Sequence, residues 1–145
     1  MRAKKALIFG ISGQDGSYLA RFLLKKKYEV NGVSKTQNFR NLKKLKVFDK
    51  IKVFKYPDKF GSLLKKNYDE IYFLGGQSNV FKSFSKQNLT YKSQIQPLIP
   101  ILEYIRKKKI KSKFLYASSS EIFGNYKNYK KKNEESFKQP ISPYG

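Results

Sequence analysis

The chain has 145 residues, 39% hydrophobic and 16% aromatic, enough for one domain with a sizeable core and too apolar for a disordered tail. It has no Cys and no His, which excludes a disulfide scaffold, Cys-ligated zinc and a Ser-His-Asp site, and no metal centre is expected. The net charge is +22, carried by 28 Lys and by Arg2, Arg21, Arg40 and Arg106. Base readout and bidentate phosphate recognition favour Arg, so a Lys-biased composition explains the charge at least as well as a nucleic-acid interface. Nucleic acid is therefore not the expected partner, although the charge attracts small anions such as nucleotides at long range.

In chain order, the basic start leads into an apolar run too short for a signal peptide, and no stretch approaches the about 20 residues that span a bilayer. The expectation is a soluble, cytoplasmic protein with no membrane partner. Lys5–Phe9, ended by Gly10, has the apolar character of a buried parallel strand. A helix follows over about Gln14 to Lys27, with Leu19, Phe22 and Leu23 on one face. Further strands are predicted at Glu29–Ser34, Ile51–Lys55, Glu70–Leu74 and Lys113–Ala117. A long helical stretch spans about Asn88 to Lys109, and Pro97 and Pro100 within it predict a break near Gln96 and a restart with Pro97 in the first turn. Strands alternating with helices through short connections imply right-handed crossovers onto a doubly wound parallel sheet, with its ligand crevice at the carboxyl ends of the strands.

The loop after the first strand reads Gly10-Ile-Ser-Gly13-Gln14-Asp15-Gly16. Three glycines between a strand and an amphipathic helix suit a sharp turn, a close approach of main-chain amides to a pyrophosphate, and tight packing of helix on sheet. An ordinary glycine-rich turn is the alternative. NAD-specific sites place an acid at the end of the second strand to hold the ribose 2′-hydroxyl. Here Ser34-Lys35-Thr36-Gln37-Asn38-Phe39-Arg40 has no acid and two cations, Lys35 and Arg40, which favours NADP over NAD. A solvated basic loop is the competing explanation.

The run from Gly10 to Ala20 closely resembles the opening of GDP-mannose 4,6-dehydratases, of the extended short-chain dehydrogenase/reductase superfamily. Pro57-Asp58, Ile71–Val80, Tyr116–Gly124 and Ser142-Pro-Tyr144-Gly145 match further segments of that family in order. The resemblance implies a Rossmann-type sheet of order 3-2-1-4-5, incomplete on its carboxyl-terminal side, and a lyase that loses water from a nucleotide sugar, GDP-mannose, using NADP. The implied cofactor contacts are Gly10, Gly13, Gln14, Asp15, Gly16, Lys35, Arg40, Asp58 near the adenine, and Leu74, Gly75, Gly76 and Gln77. Tyr144 would take the 4-hydroxyl proton and Glu121 the C5 proton, while Ser119 and Ser120 hold the sugar oxygens. Taken without the resemblance, Glu121 reads as a helix-start carboxylate after three serines in preference to a catalytic base, Tyr144 as an exposed aromatic, and Gln77 and Ser78 as caps of a following helix.

Some positions depart from the family pattern. Ser119 stands where the family has Thr, Gly75 and Gly76 where small alanines are usual, and Lys59 where an apolar residue follows the Asp. The Lys of the family's Tyr-x-x-x-Lys pair would fall past Gly145. Residues 1–145 are therefore expected to be an NADP-binding domain without its substrate domain, inactive alone, and part of a homo-oligomer in the full-length enzyme. Other nucleotide-sugar epimerases, decarboxylases or reductases of the superfamily, and a non-catalytic nucleotide-binding module, are the alternative functions.

Overall fold

Short, near-continuous apolar runs in the strands and helices with one apolar stripe leave the chain a single economical solution, a sheet covered on both faces. The computed structural model describes residues 2–56, 60–124 and 131–145. Five strands, β1 (Lys5–Phe9), β2 (Glu29–Ser34), β3 (Lys52–Lys55), β4 (Glu70–Phe73) and β5 (Lys113–Tyr116), form one parallel sheet. Its order is β3-β2-β1-β4-β5, the predicted one. The central strand sets the register: Ile8 lies opposite Gly32 on one side and Tyr72 on the other.

The helices are α1 (Gln14–Lys25), α2 (Arg40–Lys44), α3 (Gly61–Leu64), α4 (Val80–Ser85), α5 (Gln87–Gln94) and α6 (Leu98–Lys107). Strand side chains alternate between two cores. Ala6, Ile8 and Val30 pack with Ile11, Ala20, Leu23 and Leu42 from the α1 and α2 side. Leu7, Phe9, Val33, Ile71 and Phe73 pack with Phe60, Leu63, Leu64 and Ile101 from the α3 and α6 side.

Two local expectations change. The helix expected to reach Lys27 ends at Lys25, because Lys27 turns to φ 61° and the Lys27 and Tyr28 amides close back on the Leu24 and Leu23 carbonyls. Phe22, expected on the buried face, is 53% exposed. The face that meets the sheet carries Gly16, Ser17, Ala20 and Leu23, and Phe22 lies well round the helix from that stripe. The predicted break holds: α5 stops at Gln94, and α6 begins with Pro97 as its N-cap and Pro100 in its first turn.

Two compact units are distinguished. The first, Met1–Gly75 with Pro97–Ala117, holds the sheet and both cores; the second comprises Gly76–Gln96 and Ser118–Gly145. Among the described residues no helix is long and apolar enough to cross a membrane.

Candidate functional site

In the first unit, the carboxyl end of β1 opens into the glycine loop. Gly10 has φ +80°, and its amide bonds the Val33 carbonyl at 3.0 Å. A Cβ there would lie 2.8 Å from the Gly75 amide nitrogen, so only glycine lets the loop pass beside β4. Gly16 meets a tighter limit. Its Cβ would come within 2.3 Å of the Gly10 carbonyl oxygen, and this close approach seats α1 on the loop.

Gly13 differs from both. It is the exposed N-cap of α1, in extended conformation, and no side chain caps the helix. The first-turn amides of a 12-residue helix are thus left without a side-chain acceptor, at the end where the helix dipole is positive. A cradle of this donor chemistry fits an anionic group such as a pyrophosphate. Gln14 and Asp15 sit in that first turn, both exposed. The Asp15 carboxylate repels a phosphate, so toward an anion this residue can offer only its amide.

After β2 the chain turns through residues 35–39 into α2. Lys35 is exposed, with its Nζ 4.7 Å from the centre of the Tyr56 ring, a cation–π contact. The Tyr56 hydroxyl is buried without a hydrogen-bond partner, and burial pushes it up to about 12. Arg40 lines an open cleft of about 500 Å³ together with Gln37, Asn38, Phe39, Lys43 and Lys44. Lys35 is not among the cleft residues, so the two predicted cations are differently placed.

The polar links of this loop had no sequence signature. Ser34 donates to the Thr36 carbonyl at 2.8 Å and accepts from the Thr36 amide at 3.2 Å. Ser12 and Ser34 hydroxyls are 2.8 Å apart, and Asn41 Nδ2 donates to the Ser12 carbonyl at 3.2 Å. Lys43 and Lys44 were visible only as part of a Lys-rich composition.

Leu74 and Gly75 follow β4, with the Leu74 amide bonded to the Phe9 carbonyl at 3.0 Å. Asp58 lies outside the described residues. Gly76 and Gln77 open the second unit. There the Gln77 side chain turns inward: Nε2 donates to the Asn79 carbonyl at 2.8 Å and to Thr90 Oγ1 at 3.1 Å, and Oε1 accepts from the Asn79 amide. The cap of α4 is Asn79, which accepts from the Lys82 amide at 2.8 Å, not Gln77 or Ser78.

The segment after β5 begins with Ser118 at φ 56°, a left-handed conformation that a Ser rarely adopts. Ser119 then caps a single 3-10 turn, Ser120–Phe123, its Oγ accepting the Glu121 amide at 3.2 Å. Ser120 is exposed, while Ser119 and Glu121 are partly buried. The chain's last residues pack on this turn. A Cβ on Gly145 would lie 2.6 Å from the Glu121 carbonyl oxygen, one on Gly124 would lie 2.0 Å from the Gln139 carbonyl oxygen, and the Gly145 amide donates to Ser142 Oγ at 3.1 Å. Tyr144, partly buried, precedes the glycine that touches Glu121. Among the described residues no cluster of three or more Asp or Glu could hold a metal ion.

A parallel 3-2-1-4-5 sheet whose first strand opens onto a glycine cradle at a helix start defines a Rossmann-type α/β protein. Solved structures agree. The UDP-Glc/GlcNAc 4-epimerase of Campylobacter jejuni superposes with a TM-score of 0.87 at 23% identity, over 99% of this chain and 45% of that one. The UDP-glucuronic acid 4-epimerase of Bacillus cereus, solved with UDP-glucuronic acid and NAD, does so at 0.83 and 25% identity, over 97% and 47%.

Within that class the chain belongs to the GDP-mannose 4,6-dehydratase family, whose model matches residues 7–145. It is 35% identical to the GDP-mannose 4,6-dehydratase of Vibrio cholerae serotype O1 over 164 aligned residues, covering 99% of this chain and 42% of that protein. Identity to the Drosophila melanogaster GDP-mannose 4,6 dehydratase is 34%, over 99% and 40%. The chain thus spans less than half the length of these relatives.

Proposed function

We propose that the protein is an NADP-dependent GDP-mannose 4,6-dehydratase, converting GDP-mannose to GDP-4-keto-6-deoxymannose, and that this chain is its cofactor-binding part. The observation that carries the reading is Glu121, held on a Ser119-capped turn against Gly145, in a chain of this family. A Glu whose amide is fixed by a cap has its backbone oriented before a substrate arrives. The same proposal includes a nucleotide-sugar partner, a cytoplasmic location and assembly into a homo-oligomer.

The residues divide the work by chemical type. NADP, when bound, supplies a hydride acceptor for sugar C4 and a hydride donor for C6. The first-turn amides of α1, opened by Gly13, would hold the pyrophosphate, and Arg40, with no acid between Ser34 and Lys44 to oppose it, would hold the 2′-phosphate. Tyr144 takes the proton of the 4-hydroxyl as that carbon becomes a ketone. Glu121 takes the proton from C5, acidified by the adjacent ketone, and passes it to the departing C6 hydroxyl, which leaves as water. The proton held by Tyr144 balances the one that C5 regains. Ser119 and Ser120 offer hydroxyls to the sugar oxygens.

The test uses the protein produced from its own full reading frame, incubated with GDP-mannose and NADP and analysed by mass spectrometry. A nucleotide sugar lighter by one water, carrying a 4-keto group, is the expected product. Glu121→Gln should slow its formation by about 100-fold or more. A 4-epimer of the substrate, or no conversion of GDP-mannose, would overturn the reading.

A further inference from the structure

We propose that Ser34 and Asn41 are positioning residues that clamp the glycine loop to the loop after β2, fixing the spacing between the places where a dinucleotide presents its pyrophosphate and its ribose phosphate. The inference rests on the reading that this chain binds NADP. Ser34, at the end of β2, is 4% exposed. A hydroxyl has one hydrogen, and that of Ser34 goes to the Thr36 carbonyl. In the 2.8 Å contact with Ser12, Ser34 is therefore the acceptor and Ser12 the donor.

The consequence for Ser12 is specific. With its hydrogen donated toward β2, Ser12 leaves an anion at this loop to the main-chain amides. Ser12 is also held from a second side, its carbonyl accepting from Asn41. Asn41 is followed on α2 by Lys43 and Lys44 and preceded by Arg40, the three cations of the cleft. The clamp thus joins the anion cradle to the cation cleft through one residue. Leu42, 0% exposed, anchors α2 in the core independently of the clamp.

A clamp that sets spacing acts on a ligand that reaches both places and not on one that reaches a single place. Calorimetric titrations of the full chain with NADP+, with ADP and with adenosine 2′-monophosphate separate these cases. Ser34→Ala and Asn41→Ala should each weaken NADP+ by about 3- to 10-fold and change either fragment by less than about 2-fold. Ser12→Ala should match Ser34→Ala, and Ser12→Thr, which keeps the hydroxyl, should bind as the unsubstituted chain does. Circular dichroism establishes that each variant is folded, and Asn41, being exposed, provides the variant least exposed to misfolding.

Unchanged NADP+ affinity in folded Ser34→Ala and Asn41→Ala, or equal losses for NADP+ and a fragment, would overturn the clamp while leaving the reading of the site intact. No binding of NADP+ by the unsubstituted chain would overturn both.

Discussion

Gly16 and Gly13 are three residues apart, yet they answer to different constraints. A methyl at Gly16 would collide with main-chain atoms of Gly10 and Ile11 at 2.3 and 2.8 Å, and neither can yield without moving β1. Gly16→Ala should cost about 3 kcal/mol or more in urea unfolding. A methyl at Gly13 would meet only the Gly10 carbonyl oxygen, at 3.2 Å, in an exposed and extended position. Gly13→Ala should therefore fold with a loss below about 1 kcal/mol, but bind NADP+ less tightly because the methyl enters the cradle. Their spacing in the sequence announced the cradle, since strand, glycine triplet and helix form a local pattern. Ser12, Ser34 and Asn41 could not be found that way, because their contacts join residues far apart in the chain and use ordinary polar side chains. Gln77 was legible as a functional candidate only through the family resemblance, and its side-chain bonds to Asn79 and Thr90 are those of a local organiser.

Among the elements, α6 shows how one residue type can be harmless in one place and costly in another. Pro100 stands in the first turn, where amides have no intrahelical partner, so Pro100→Ala should change stability by less than about 0.5 kcal/mol. Ile101, its neighbour, is 0% exposed and fixes the helix to the sheet. Ile101→Ala should cost about 2 to 5 kcal/mol in the same urea titration. A cost above about 2 kcal/mol for Pro100→Ala would mean that the proline packs rather than merely starts the helix. The five strands and the split of the long helix were readable because apolar runs and prolines act locally. The shorter helices α2, α3 and α4 were not, because four to six residues complete too little of a period to show a face. Phe22 was misplaced for a related reason: apolar character shows that a side chain can be buried, whereas the contact of Gly16 with the loop decides which way the helix is rotated.

At the scale of the whole molecule, the net charge of +22 leaves few acids, and the placement of those few matters. Asp69, just before β4, accepts the Lys5 amide at 2.8 Å and the two terminal guanidinium nitrogens of Arg2 at 3.0 and 2.7 Å, tying the chain's start to the sheet. The Lys5 amide first, and Arg2 beside it, hold its carboxyl below the ordinary carboxylate value. A carboxylate lowered in the folded state stabilises fully above its unfolded value near 4, and this contribution fades as the pH falls through the lower folded value. Stability should thus decline as the pH is taken below about 4, and Asp69→Asn should flatten that decline in a thermal-unfolding series. An unchanged acid profile in the variant would remove Asp69 from the account. NADP+ carries one phosphate more than NAD+, so a basic surface draws it in without any specific contact. At about 0.15 M salt that attraction is screened beyond about 8 Å, whereas a direct contact between Arg40 and the added phosphate would act at a few ångströms and be screened less.

The most direct measurement is therefore a paired equilibrium titration of the chain with NADP+ and NAD+, at about 0.15 M and about 0.5 M salt. Saturable one-site binding of both is expected, with NADP+ tighter by about tenfold or more at both salt concentrations, as charge-assisted bonds to one added phosphate provide. Binding of neither, equal binding of both, or a preference that disappears at the higher salt would contradict it.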